Sequence, residues 1–227
     1  LLLAACAVPV APAAAPAASS DAAAAPAEAG AAKTFEDLVI GYAQIGAESE
    51  WRTANTDSIK STAEELGVEL KFSDAQQKQE NQIKAIRSFI AQQVDVIGVS
   101  PVVETGWETV FQEAKDAVIP LILVDRRAAV PEDLYATYLG SDFVEEGRRA
   151  GEAMHQIVGE NAKIVELVGT VGSAPANDRA AGFREYIADY PGLEFIDSQS
   201  GDFTRAKGKE VMEAFLKTHG DEITAVY

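Results

Sequence analysis

Cysteine is almost missing from this chain: Cys6 stands alone in 227 residues, so no disulfide can close within it and the paired Cys and His spacing of a zinc site is absent. Histidine is nearly as scarce. His155 and His219 both fall in segments of helical period, away from the loops behind apolar runs, where they read as exposed helix residues that offer no general base. Basic residues are few as well, 19 Lys and Arg against 36 Asp and Glu, and a net charge of -17 excludes a phosphate backbone as partner. The acidic residues spread over solvent-facing helix positions, which reads as solubility and not as a metal cluster; no cofactor is expected. Gly169-Thr170-Val171-Gly172-Ser173 lacks the Gly-Lys-Ser/Thr ending of a phosphate-cradling loop. The apolar run Leu1-Leu2-Leu3-Ala4-Ala5 falls far short of the about 20 residues that cross a bilayer.

What the chain does have begins at that run. Leu3-Ala4-Ala5-Cys6 resembles the lipobox of bacterial lipoproteins, in which cleavage leaves the cysteine first and its sulfur carries diacylglycerol. A cysteine standing by chance behind an ordinary signal peptide is the other reading. Neither an initiating Met nor a basic segment precedes the run, so residues 1–6 are expected to be part of a signal peptide. Residues 7–34 are mostly alanine broken by proline, with little to bury, and are expected to form a disordered or partly extended linker, or transient helix between prolines.

From Leu38 onward, short apolar runs alternate with segments of helical period, which implies crossover units around parallel sheet and an α/β class. A hydrophobic content of 47% is ordinary for a packed globule. Strands are expected at Leu38 to Gln44, Glu69 to Ser73, Val94 to Val99, Leu121 to Val124, Tyr135 to Leu139, Ile164 to Val168 and Leu193 to Ser198. Ile59, Ala63 and Leu66 form one helical stripe, Ile83, Ile86 and Ile90 a second, and Gly147, Ala150, Gly151, Met154 and Val158 a third. Gly67 and Gly159 stand where helices should stop.

Ligand groups in such sheets gather in the loops beyond the carboxyl ends of strands. Those loops hold Gly46-Ala47-Glu48-Ser49-Glu50-Trp51-Arg52, Ser100 to Trp107, Asp125-Arg126, Asn177-Asp178-Arg179 and Gly201-Asp202-Phe203-Thr204-Arg205. Carboxylates, guanidiniums and flat aromatics suit a sugar, which needs bidentate bonds to neighbouring hydroxyls and an apolar plate for its C–H face.

At these residues the chain resembles the periplasmic sugar-binding proteins of ABC importers, the ribose- and galactose-binding superfamily, and most closely its galactofuranose-binding branch. The resemblance runs from about Leu38 to Tyr227. It rests on the first loop, on Gln76-Gln77-Lys78-Gln79-Glu80-Asn81-Gln82, on Pro101-Val102-Val103 with Thr105-Gly106-Trp107, on Asp125-Arg126, and on Ser198 to Arg205 with Lys207-Gly208-Lys209-Glu210. It implies the type I periplasmic binding protein fold, two doubly wound parallel-sheet lobes joined by a hinge, with lobe one at 35–139 and an incomplete lobe two at 140–227. The first hinge crossing falls near Gly140-Ser141-Asp142. The implied protein is no enzyme. It is a monomer in the periplasm or on the outer face of the cell membrane, touching the membrane through its lipid alone, that closes on one monosaccharide and hands it to a permease. A sugar-sensing receptor or repressor-like domain shares the fold, although the basic helix-turn-helix of such repressors is replaced here by the lipobox and spacer.

Asp125 is expected to accept from two sugar hydroxyls while Arg126 donates, unless the two form a structural ion pair; Arg127 reads as a solvated neighbour. Arg52 is expected to donate, with Ser49 as a smaller donor and acceptor nearby. Trp51 either stacks on the sugar or packs on the core as a helix cap. Glu48 is read as a cap for that helix, and Glu50 as an added charge narrowing the mouth. Arg179 is expected to close over the ligand from the opposite side, or to pair with Asp178 at the surface. Phe203 is either a stacking plate or core, and Asp202 a turn or cap residue. Trp107 opens a helix and closes the hydrophobic layer, with stacking on a ligand as its second reading.

Overall fold

The computed structural model describes residues 33–227. Cys6, the lipobox and all but the end of the linker expectation lie outside the described residues. The order of elements is β1 (Val39–Gln44), α1 (Glu50–Leu66), β2 (Glu69–Asp74), α2 (Gln79–Ala91), β3 (Val96–Val99), α3 (Glu108–Asp116), β4 (Leu121–Val124), β5 (Thr137–Leu139), α4 (Phe143–Val158), β6 (Ala162–Val168), α5 (Ala174–Ile187), β7 (Leu193–Ser200), α6 (Arg205–His219) and β8 (Ala225–Val226). Five strands form one sheet in the order β2-β1-β3-β4-β5, and three form a second in the order β7-β6-β8. Every pairing in both is parallel, as helix crossovers require.

Burial follows the apolar pattern. Ala43, Ile97, Val99, Leu121 and Leu123 from the middle strands pack against Ile86, Phe89 and Phe111 of α2 and α3. In the second sheet, Ile164 meets Phe183 and Ile187 of α5 on one face, while Val165 meets Val211 and Phe215 of α6 on the other. Helix α1 ends at Gly67 with φ +70°, the left-handed stop that its glycine permits, and α4 ends at Gly159. The α1 stripe is only partly realised: Ile59 and Ala63 are half-buried, whereas Leu66 is 41% exposed. Helix α1 lies against β2, an edge strand in which no residue is fully buried, so little apolar surface is there to receive it.

Strand starts differ from the sequence expectation where polar or turn geometry intervenes. Leu38 and Val94 precede their strands, and Tyr135 follows a 3-10 turn at Glu132–Leu134 that delays β5 to Thr137. The two histidines are corrected from exposed to half-buried: His155 packs at a tilt on Tyr190 with ring centres 3.8 Å apart, and His219 lies 3.0 Å from the Asp197 carboxylate. Trp107 is fully buried, with its indole N–H donating to the Val103 carbonyl at 2.6 Å, and so closes the hydrophobic layer.

The described chain passes between the sheets through Gly140-Ser141-Asp142, where Asp142 caps α4 by accepting from the Glu145 N–H at 3.0 Å. The strand-end loops of the two sheets meet. The Glu104 N–H donates to the Gly172 carbonyl at 2.8 Å, and the Asn177 amide donates to the Glu104 carboxylate. No helix among the described residues is long and apolar enough to cross a membrane.

Candidate ligand site between the two sheets

The first loop places its side chains through one cap. Ser49 Oγ accepts from the Arg52 N–H at 3.2 Å and so opens α1. Glu48 is therefore not the cap that the sequence suggested. With that role taken by Ser49, its carboxylate turns inward and becomes 2% exposed. Glu48 Oε1 accepts from Arg52 Nε at 3.1 Å and stands 3.6 Å from Arg126 Nη2. Arg52 is itself 2% exposed; it also donates from Nη1 to Asn55 at 3.3 Å and from Nη2 to Asp125 Oδ2 at 2.5 Å.

Asp125 and Arg126 follow β4. Asp125 has φ +65°, and the Arg126 N–H bonds back to the Val124 carbonyl at 2.7 Å, which is the strained hand of γ-turn. Arg126 Nη1 donates to the Val102 carbonyl at 3.1 Å. Val102 is fixed in turn by buried Gln82, whose Oε1 accepts from the Val102 N–H at 3.0 Å while its Nε2 donates to Ala43 and Ser100 carbonyls. Burial, followed by the neighbouring Arg52 charge, brings the Arg126 guanidinium down to about 10, with Glu48 and Asp125 opposing the shift. Among the described residues two buried atoms here have no hydrogen-bond partner, Glu48 Oε2 and Arg126 Nε.

The second sheet contributes the opposite wall. Arg179, on α5, donates from Nε to Glu146 Oε2 at 2.9 Å and lies 4.4 Å over the Phe143 ring, so it pairs with Glu146 and not with its neighbour Asp178. Phe203 sits 5.3 Å beneath the Arg126 guanidinium, with φ +56°. Its ring packs on Gly169 so closely that an added Cβ there would lie 2.0 Å from the ring, which only glycine allows. Asp202, also at positive φ, is the turn residue, and Thr204 caps α6.

Ser49, Trp51, Arg52, Asp125, Arg126, Arg179 and Phe203 thus line one cavity of about 360 Å³. Trp51 lies at its edge, 57% exposed, beside Arg52. Outside it, Glu50 meets Arg205 at 3.3 Å, and both are exposed. Glu48, Ser141, Phe143, Glu146 and Pro175 complete the lining. Sequence reasoning missed these five. The i,i+4 spacing of Glu48 and Arg52 was a readable signal for the first; Glu146 lies in the first turn of α4 beside Glu145 and carried none.

Carboxylates and guanidiniums balance in this lining, Glu48, Asp125 and Glu146 against Arg52, Arg126 and Arg179. Each arginine is already held by a carboxylate or carbonyl, while donor and acceptor capacity remains at Arg126 Nε and Glu48 Oε2. The fold and the site together make a cleft between two parallel sheets, lined by paired carboxylates and guanidiniums with aromatic rings beside them.

Residues 40–227 match the periplasmic binding protein domain, and the chain belongs to that family, with the type I fold. It is 52% identical over 194 residues to the galactofuranose-binding protein YtfQ of Escherichia coli (strain K12), an alignment covering 84% of this chain and 61% of that protein. The arabinose-transporter periplasmic binding protein from Shewanella sp. ANA-3, solved with α- and β-L-arabinofuranose, is 54% identical with TM-score 0.80, over 83% of this chain and 63% of that one. A protein of Mycobacterium smegmatis, solved with β-D-fucofuranose, is 56% identical with TM-score 0.79, again over 83% of this chain and 63% of that one. The chain spans about three-fifths of the length of the relatives it matches.

Proposed function

We propose that the chain is the greater part of an extracytoplasmic receptor for an ABC importer, and that its cavity takes one neutral monosaccharide in the five-membered ring form. The carrying observation is the pair of unpartnered buried atoms, Glu48 Oε2 and Arg126 Nε, in a lining whose formal charges cancel. A sugar hydroxyl that reaches them as the lobes move can donate to one and accept from the other, which a fully ionised phosphate or an ammonium group cannot do. The neutralised arginines leave no spare positive charge for an anionic sugar. The furanose form is supported by the ligands of the two solved relatives.

In this reading Asp125, Arg52, Arg126 and Glu48 hold the sugar from lobe one, within 35–139, and Arg179 and Phe203 close from lobe two, within 140–227. Ligand favours the closed form because only that form lets both lobes touch it. The receptor presents this form to its permease, works as a monomer without turning over its ligand, and is tethered by lipid on Cys6 through the linker at 7–34.

Calorimetry of the full-length protein with L-arabinose, D-galactose, D-fucose, D-galacturonate and glucose 6-phosphate tests the site, with NMR of labelled sugar reporting ring form. Saturable binding of a neutral sugar as furanose is expected, returned unchanged. Preference for either anion, or conversion of the sugar, overturns the reading.

A further inference from the structure

We propose that Tyr138 is a positioning residue whose hydroxyl links the crossing between the lobes to the Asp125 peptide, so that lobe movement and the placing of the Asp125 carboxylate are one event. The proposal rests on the sugar-receptor reading above.

Asp125 is held at φ +65° by bonds from one place, the end of β5. Its N–H donates to the Leu139 carbonyl at 2.7 Å, and its carbonyl accepts from the Tyr138 hydroxyl at 2.9 Å. Left alone, a γ-turn of this hand relaxes, so these bonds decide where the carboxylate points. The same hydroxyl donates to the Ser141 carbonyl at 3.0 Å, and Ser141 lies in the crossing and lines the cavity.

One phenolic proton therefore serves two carbonyls, one on the ligand turn and one on the crossing. A shift of Ser141 changes the share left for Asp125. Gly140 makes room for this arrangement: an added Cβ would fall 2.2 Å from the Tyr138 hydroxyl and 2.8 Å from the Asp125 carbonyl. Arg127, itself exposed, lies over the Tyr138 ring with its guanidinium 3.8 Å from the ring centre, so it is a clamp on Tyr138 as well as a solvated neighbour. Burial raises the phenol to about 12, which keeps it a donor at every physiological pH. The Tyr138 ring is half-buried against the first core, so packing fixes the ring while the two hydrogen bonds fix its hydroxyl.

The test uses the full-length protein with L-arabinose as probe and small-angle scattering as a second readout. Tyr138→Phe is expected to weaken binding about tenfold, the scale of one hydrogen bond, through faster release and with little change in thermal midpoint. It should also leave the sugar-free protein more open by scattering. Gly140→Ala, which presses on the same hydroxyl, should act likewise. If Tyr138 works through Asp125, Tyr138→Phe loses most of its effect in an Asp125→Asn background measured at high sugar concentration. Wild-type affinity and scattering in Tyr138→Phe, or effects fully additive with Asp125→Asn, overturn the proposal. A wild type that binds no L-arabinose counts against the sugar reading, while scattering of the sugar-free variants still decides whether Tyr138 governs the crossing.

Discussion

Arg52 and Asp125, 73 positions apart, meet at 2.5 Å with their exposures unequal: the arginine side chain is 2% accessible and the aspartate 16%. The helix side of this pair is sealed and the cavity side open. Among the described residues Asp125 Oδ1 takes no hydrogen bond, so half of the carboxylate stays available while the other half is anchored.

Arg52→Met removes the guanidinium that Glu48 and Asp125 share and leaves two inward carboxylates to Arg126 alone. Breaking a buried charge cluster in this way costs about 3–5 kcal/mol, and a large fall in the urea midpoint is expected together with loss of sugar binding. Arg52→Lys keeps the charge without the fork, so it should recover folding better than affinity. Equal recovery of both would show that the fork is unnecessary.

Arg126 is kept charged at a cost. Its shift from an ordinary 12.5 to about 10 corresponds to a penalty on the order of 3 kcal/mol while it carries its proton in the fold. As pH rises the folded state releases this proton first, so the unfolded state holds more protons between those two values and the stability contribution climbs only in that window. Below about 10 the penalty is constant. Arg126→Met, which leaves Glu48 paired with Arg52, should lower sugar affinity roughly a hundredfold yet leave the denaturation midpoint unchanged or raised. A midpoint well below wild type contradicts this.

Asp178 faces Glu104 across the meeting of the two sheets. Burial first, and Glu104 second, raise its carboxyl above the usual range, with Arg127 opposing. The fold thus holds the proton to higher pH than the unfolded chain, and stability falls as pH climbs through the window between the ordinary and raised values. Asp178→Asn should melt above wild type at neutral pH, and the difference should shrink as pH drops through the carboxylate range. A difference that does not vary with pH sinks this account.

Val118, 87% exposed, sits just past α3 at φ +59°. Its N–H returns to Lys115 at 2.9 Å and that of Ile119 to Ala114 at 3.0 Å, a helix stop that favours glycine. A β-branched residue is strained there, so Val118→Gly should stabilise by about 1 kcal/mol and raise the melting point by about 2–4 °C. Differential scanning calorimetry decides.

The alternation of apolar runs and helical stripes made the parallel-sheet architecture readable, because buried strands such as Leu121–Val124 are apolar throughout. The candidate site was legible only as a set of loops: the seven residues chosen from them border one cavity, which is a grouping and not a bound ligand. Which member of Glu48-Ser49 caps α1 was not legible, since either can accept a helix N–H and only the fold shows which points inward. Glu146 escaped because a carboxylate in a helix carries no sign of the arginine opposite it. Tyr138 escaped for a related reason, as a tyrosine on a short edge strand reads as ordinary sheet until its hydroxyl is placed between two carbonyls.

The bond from the Glu104 amide to the Gly172 oxygen joins the halves of the molecule through peptide groups alone. Peptide groups are the same whatever amino acid bears them. Neighbouring side chains can therefore be exchanged, reshaping the cleft between the sheets, while this bond keeps its donor and acceptor. At position 104 a single amino acid type abolishes it outright, proline, whose nitrogen has no hydrogen to give.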